Sequence, residues 1–332
     1  MDPVTHLASG VIGAQAFRRN FPKARLFMPF CILCAWIPDV DILFFNADPE
    51  WSLLHHRGLS TSIAGGAVMA VILAILYRFV ARKVPLAKSF LLALFLIYVH
   101  IWLDYITSYG TQILAPFSNE RFSLDALFII DPIYTITLLL FMVVAFIRKN
   151  KESVIGKWAL AFVFIYPLAS LGTGSLLENM MSKQYANQGI QFEEFDFIPD
   201  AFTPIYWKVV SRQKDTYTLT LVNTFVPGKE YPSISGHRAN PGLLEELGTQ
   251  TSMFATWKWF ARYPIIKTRD TGNGTEMIFD DLRFSSVHPV MTSIFTERKP
   301  PFRLVGTVDD QGRLKSWQFN HSLRKTLEEA VQ

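Results

Sequence analysis

Long apolar runs fill the first 177 residues of this chain and then stop. They cover Val4 to Phe17, Leu26 to Phe45, Ile63 to Val80, Ser89 to Ile106, Ile133 to Ile147 and Trp158 to Leu177. About 20 apolar residues in a helix cross the hydrocarbon core of a bilayer. The first run is shorter than that and reads as a packed or half-embedded helix, with Asp2 as its cap and Pro3 at its first position. The expected fold is therefore an α-helical membrane domain over residues 1–177, with about five spans plus a short N-terminal helix. A β-rich extracytoplasmic domain over residues 178–332 is expected to follow it. Tyr206 to Val210, Tyr217 to Val222, Glu276 to Phe279, Arg303 to Val308 and Leu314 to Phe319 alternate as strands do. Asp309-Asp310-Gln311-Gly312 reads as a hairpin turn between the last two, and Ser322 to Val331 as a short amphipathic helix.

Composition agrees with this division. Half of the 332 residues are hydrophobic, and the mean hydropathy is +0.22, high for a water-soluble enzyme. The formal charge of +4 is mild. Its Lys and Arg residues gather at the ends of apolar runs, at Arg18 to Arg25, Arg78 to Lys88 and Arg148 to Lys157. That placement follows membrane topology and not nucleic acid, which is not expected as a partner. With all three clusters in the cytoplasm the spans alternate correctly. The segments 38–62 and 100–131 and everything after Leu177 then fall on the outer side. The two cysteines, Cys31 and Cys34, lie inside an apolar run and read as small packing residues. Trp257, Trp259, Phe260 and Tyr263 are interleaved with Lys258 and Arg262, and core packing is the expectation for them.

The same outer face collects the unusual polar residues. Four of the seven histidines, His6, His55, His56 and His100, lie in the first third of the chain. Asp39, Asp41, Asp104, Asp125 and Asp131 accompany them. An Asp at the centre of a membrane helix costs about 2.5–3.5 kcal/mol to insert, so ionisable groups there commonly have a role. His100 and Asp104, four apart, share one helix face. That spacing suits two ligands on one metal, a ligand with its orienting carboxylate, or a hydrogen-bonded structural pair. Pro38 is expected to push Ile37 out of helical geometry. In the extended stretch that follows, Asp39 and Asp41 would point the same way. Arg57 and Arg121 suit a bidentate grip on an anion, or pairing with one of the Asp residues.

These residues resemble a known family. Asp2-Pro3-Val4-Thr5-His6, Pro38-Asp39-Val40-Asp41, His55-His56-Arg57-Gly58 and His100-x-x-Leu103-Asp104-x-x-Thr107-x-Tyr109-Gly110 are similar to the motifs of bacterial membrane-bound hydrolases of the YdjM type. The similarity continues through Leu114-x-Pro116 and Asp131 and covers roughly residues 1–150. That family is in turn distantly similar to the zinc-dependent phospholipase C and nuclease superfamily. The resemblance implies a metal-dependent hydrolase of the bacterial inner membrane, multi-pass, with its site and C-terminal domain facing the periplasm. His6, Asp39, His56, His100 and Asp104 would be the metal ligands, with zinc first and manganese or iron as alternatives. Asp41 or Asp125 would act as general base or bridge two metals, and Arg57 would assist. Membrane lipids would be both environment and substrate, through a phosphodiester or ester at the outer leaflet. One departure stands out: Ser60-Thr61-Ser62 replaces the Thr-His-Ser of many members, which would leave one ligand fewer. The alternative is a non-enzymatic membrane protein with a structural His/Asp cluster and a partner-binding outer domain. A transporter fits less well, because carboxylates do not continue towards the basic face.

Overall fold

The computed structural model describes residues 1–44, 48–272, 274–294, 299–320, 322 and 325–326. The chain divides into two compact units, the first made of Met1–Phe44, His55–Gly174 and Ala201–Pro204.

The first unit is helical. Helix α1 (Pro3–Phe17) starts where Asp2 accepts the Thr5 amide at 3.0 Å, with Pro3 at its first position. At 15 residues it is too short to cross a membrane, yet ten of its residues are buried. It packs against α2 (Phe27–Trp36), α5 (Leu86–Tyr105) and α6 (Pro132–Ile147). Small residues permit this. A Cβ on Gly10 would lie 2.7 Å from the Ile32 Cα of α2. One on Gly156, in α7 (Glu152–Asn187), would lie 2.5 Å from the Ala16 nitrogen. Close backbone approach at small residues is how helices associate in lipid, where apolar burial gives little drive.

The run Leu26 to Phe45 is not one span. Its α-helix ends at Trp36 and a 3-10 helix, Ile37–Phe44, follows. Ile37 keeps right-handed helical angles, φ −57° and ψ −29°, so Pro38 does not force an extended stretch. A proline is tolerated in the first turn of a helix, where its missing N–H would have had no partner. After the short helix α3 (Pro49–His55), α4 (Ile63–Val80) begins at the Ser62 cap, whose hydroxyl accepts the Gly65 amide at 2.9 Å. Among the described residues three helical segments are long and apolar enough to cross a membrane: Ile63–Val80, Leu86–Tyr105 and Lys149–Asn187. Helix α6 is apolar but has only 16 residues. Along α4, Val68, Ile72, Leu76 and Phe79 are exposed at helical spacing, the pattern of a face turned to lipid.

The basic loops meet at one end of this unit. Arg19 donates to the Asn150 carbonyl at 3.3 Å, Ser153 to the Ala16 carbonyl at 2.7 Å, and Tyr77 to the Arg25 carbonyl at 2.9 Å. At the other end Asp131 caps α6, accepting the amides of Tyr134 at 2.9 Å and Thr203 at 2.7 Å.

The second unit holds an antiparallel sheet whose nine strands pair in sequence order: β1 (Glu194–Pro199), β2 (Tyr206–Gln213), β3 (Thr216–Asn223), β4 (Ile234–Arg238), β5 (Pro264–Asp270), β6 (Thr275–Asp281), β7 (Leu304–Val308), β8 (Leu314–Phe319) and β9 (Lys325–Thr326). Ile198, Val210, Leu219, Tyr263 and Ile265 form one core, and the last turns of α7 bring Leu177 and Met181 against Phe197, Trp207 and Val209. Between β4 and β5 stand α8 (Pro241–Gln250) and α9 (Ser252–Phe260). Trp257, Phe260 and Tyr263 are buried, as core packing requires, and Trp257 lies 5.8 Å from Phe279 of β6. The β7–β8 turn closes through Asp309 and Gly312, the latter at φ +77°. A short helix α10 (Pro289–Ile294) precedes β7. The helix expected over 322–331 lies mostly outside the described residues, and its Lys325–Thr326 pair is strand, opposite Ser316 and Trp317.

Candidate metal centre

Three elements of the first unit bring the cluster together. α1 supplies His6 from its first turns, the 3-10 helix supplies Asp39, and the last turns of α5 supply His100 and Asp104. The ligand atoms of His6, Asp39 and His100 all lie within 4.8 Å of one another, and all three residues are buried. His100 Nε2 is 3.4 Å from Asp39 Oδ1 and 3.4 Å from Asp104 Oδ2, and His6 Nε2 is 3.2 Å from Asp104 Oδ1. The two imidazoles stack with centroids 3.8 Å apart.

These residues fit a metal. Two ligands each about 2.0–2.1 Å from one tetrahedral ion stand roughly 3.3–3.4 Å apart, the spacing seen here. Despite their closeness, both ring nitrogens of His6, His100 Nε2 and Asp104 Oδ2 have no hydrogen-bond partner among the described residues. Buried polar atoms are otherwise nearly always satisfied. His100 Nδ1 donates to the Ala35 carbonyl at 2.7 Å, which leaves the Nε2 lone pair directed at the carboxylates. Two imidazoles with carboxylates suit zinc, manganese or iron.

Around this set runs a second layer. The Arg57 guanidinium lies 2.9 Å from Asp104 Oδ1 and donates to Thr107 Oγ1 at 2.8 Å, while the Met1 amino group lies 2.5 Å from the same Asp104 oxygen. Asp104 thus has one oxygen against the Arg57 guanidinium and the other turned to His100. Arg57 reaches inward because a tight turn closes between His55 and Gly58, whose amide donates to the His55 carbonyl at 2.8 Å. A Cβ on Gly58 would sit 2.7 Å from that carbonyl oxygen, so the turn requires glycine. Arg57 itself takes φ +54°.

Asp41 does not point with Asp39. At three residues per turn, positions two apart in a 3-10 helix face different directions. Asp39 meets His100, whereas Asp41 Oδ2 accepts the Arg57 amide at 3.1 Å and lies 3.1 Å from His56 Nδ1. Asp41 Oδ1 is buried with no hydrogen-bond partner among the described residues. His56, expected beside the other ligands, pairs instead with Asp41, and its side chain is 14% exposed. His55 is exposed. Asp125 adopts φ +50° and accepts Ser123 Oγ at 3.2 Å. Thr61, at the departure from the motif, is buried and donates to the Gly58 carbonyl at 3.1 Å.

Sequence reasoning assigned no role to Thr107, Tyr109 or the Ala35 carbonyl. Tyr109 stands between two cations, 4.8 Å from the Arg57 guanidinium and 5.3 Å from that of Arg121. Arg121 donates to the carbonyls of His56 at 2.8 Å and Gly110 at 3.0 Å. Thr107 and Tyr109 lie inside the motif that begins at His100, which was the signal available. Ala35 acts through its backbone, which no side-chain pattern reveals.

A family model described as YdjM inner membrane protein matches residues 1–175, the stretch that carries every one of these side chains. The chain belongs to the YdjM inner membrane protein family. Membership agrees with the apolar helices and makes this a protein of the inner membrane. Among curated proteins, one described as "Uncharacterized protein YfhP", from Bacillus subtilis (strain 168), is 27% identical over 139 residues. The matched region is 40% of this chain and 42% of that protein, so the chain spans about two fifths of the relative's length. No solved structure matches.

Proposed function

We propose that this YdjM-family protein is a membrane-embedded, metal-dependent hydrolase, with zinc as its metal and a lipid phosphodiester or ester of the outer leaflet as its substrate. The observation that carries the reading is the buried trio of His6, Asp39 and His100, whose unpartnered nitrogens sit at coordination spacing. Asp104 completes the ligand set, and His56, expected as a further ligand, serves instead through its pairing with Asp41. Bound zinc supplies Lewis acidity and a water whose pKa falls towards about 7. The chain's own residues do the rest. His100 is held in one tautomer by Ala35. Arg57 holds Asp104 in place through Oδ1. Asp41, oriented by the Arg57 amide and His56, offers its open Oδ1 as general base, with Asp125 as the other candidate for that role or for bridging a second metal.

Orientation follows from the basic loops. With Arg18 to Arg25, Arg78 to Lys88 and Arg148 to Lys157 in the cytoplasm, the metal centre and the β-rich domain after residue 177 face the periplasm. The five-span count then needs α2 with its 3-10 extension, and α6, to pass most of the bilayer in the company of α1. In this reading membrane lipid is both the environment of the site and its substrate.

A closed structural metal site is the second reading, favoured by the 0–1% side-chain exposure of His6, His100 and Asp104. Elemental analysis of detergent-purified protein, beside His100→Ala and Asp41→Ala, separates the two. The hydrolase reading expects about one or more equivalents of zinc, lost in His100→Ala and retained in Asp41→Ala, with hydrolysis of a lipid phosphodiester panel lost in both. Zinc without hydrolysis supports the structural site. No transition metal, and none taken up from added zinc, ends both readings.

A further inference from the structure

The loop from α5 to α6 carries an apolar tip that the metal site does not use. Leu114, Pro116 and Phe117 are exposed, Phe117 at 89%, and the next residues, Ser118-Asn119-Glu120, turn polar. The tip is ordered by its own backbone: the amides of Phe117 and Ser118 donate to the Leu114 carbonyl at 2.9 and 3.3 Å, and the Ala115 amide to Gln112 at 3.0 Å. One exposed apolar side chain is ordinary, but Leu114, Pro116 and Phe117 exposed together in one short turn form the kind of contiguous patch that marks an interaction or membrane surface.

The position of the loop says what covers it. The Ile63 amide, at the first residue of α4, donates to the Ile113 carbonyl at 3.0 Å. One of the orphan donors at the start of a membrane-crossing helix is therefore satisfied by this loop. The residue after that carbonyl is Leu114. The apolar face that α4 leaves exposed carries Leu76, Ile72 and Val68, and at the start of the helix Ile63 is 51% exposed and Leu59 before it 58% exposed. The loop tip therefore stands at the first turn of a helix long and apolar enough to cross a membrane, the level at which such a helix meets the headgroups. Amphipathic segments with an apolar edge and polar flanks settle at this depth.

We propose that residues 113–118 insert into the bilayer interface, with Leu114 and Phe117 among the upper acyl chains of the leaflet at the metal-site end. The same loop continues to Arg121, which holds the His56 carbonyl, so the insertion sets the depth of His56 and its surroundings at the headgroups. The proposal is independent of whether a metal binds.

Nitroxide labelling tests it. Cys31 and Cys34 are fully buried, and labelled wild type serves as background. Phe117→Cys and, separately, Leu114→Cys are labelled in the full chain and reconstituted in phosphatidylethanolamine/phosphatidylglycerol vesicles. Collision with oxygen and with a water-soluble nickel complex is then measured. Ile72→Cys on α4 is the lipid reference and Asp310→Cys, in the exposed β7–β8 turn, is the water reference. The expected oxygen-to-nickel ratio at 117 and 114 is severalfold that at 310 and below that at 72, and is unchanged when His100→Ala is added. A ratio equal to that at 310 overturns the proposal, and so does shielding from both agents, which would mean that protein covers the tip.

Discussion

Asp104 meets His6, His100 and Arg57 within 3.4 Å at a position closed to solvent. Removing one partner of such a buried pair strands the other charge, at a cost of about 3–5 kcal/mol, whereas replacing both with apolar groups is often neutral. Asp104→Asn is therefore expected to lower the thermal midpoint in detergent sharply, and Asp104→Leu with Arg57→Met to recover most of the loss. Equal destabilisation in both would show that packing, and not the ion pair, holds this corner. At this scale the sequence was informative where the local geometry was regular. His100 and Asp104 lie on α5, so the spacing of four placed them together. Asp39 and Asp41 lie on a 3-10 helix, where the alternation expected of an extended segment does not apply. The pairing of His56 with Asp41 follows from that turn and could not be read from spacing.

Helix α1 is enclosed by its neighbours because two glycines let backbones touch. Gly156→Val puts a branched side chain where a Cβ alone would be 2.5 Å from Ala16. Overpacking of this kind typically costs about 1–3 kcal/mol. Gly172→Ala, at a helical position with nothing within 4 Å, is expected to be neutral or to stabilise by up to about 1 kcal/mol. Melting curves of the two variants in one detergent check both, and the assignment of α1 as a packed helix fails if Gly156→Val melts with wild type. The helices were legible because apolar runs are long and ended by basic residues or proline. Five strands were legible from alternation, and β2, β3, β6, β7 and β8 contain or closely match them. The strand β4 was not: Ile234-Ser235-Gly236-His237-Arg238 has little apolar content and joins β5 through only two residue pairs. Helices α8 and α9 were hidden by their shortness and by the aromatic density around Trp257.

For the molecule as a whole, the gathering of three basic loops at one end and the His/Asp cluster at the other gives the membrane unit a polarity. In intact cells a membrane-impermeant maleimide is expected to label Asp310→Cys and to spare Arg82→Cys until the membrane is permeabilised. The reverse pattern would turn the protein over and put the metal site in the cytoplasm. The cluster also has a history in time. Its residues leave the ribosome separately: His6 with the first apolar segment, Asp39 at the end of the second, and His100 with Asp104 only after α4 has been made. Until then His6 and Asp39 lack the partners that make their burial tolerable. In chain order α1 and α2 thus precede the α5 residues that pair with His6 and Asp39. The His/Asp cluster is in this sense closed by the helix that carries His100 and Asp104, the last of its three elements in chain order.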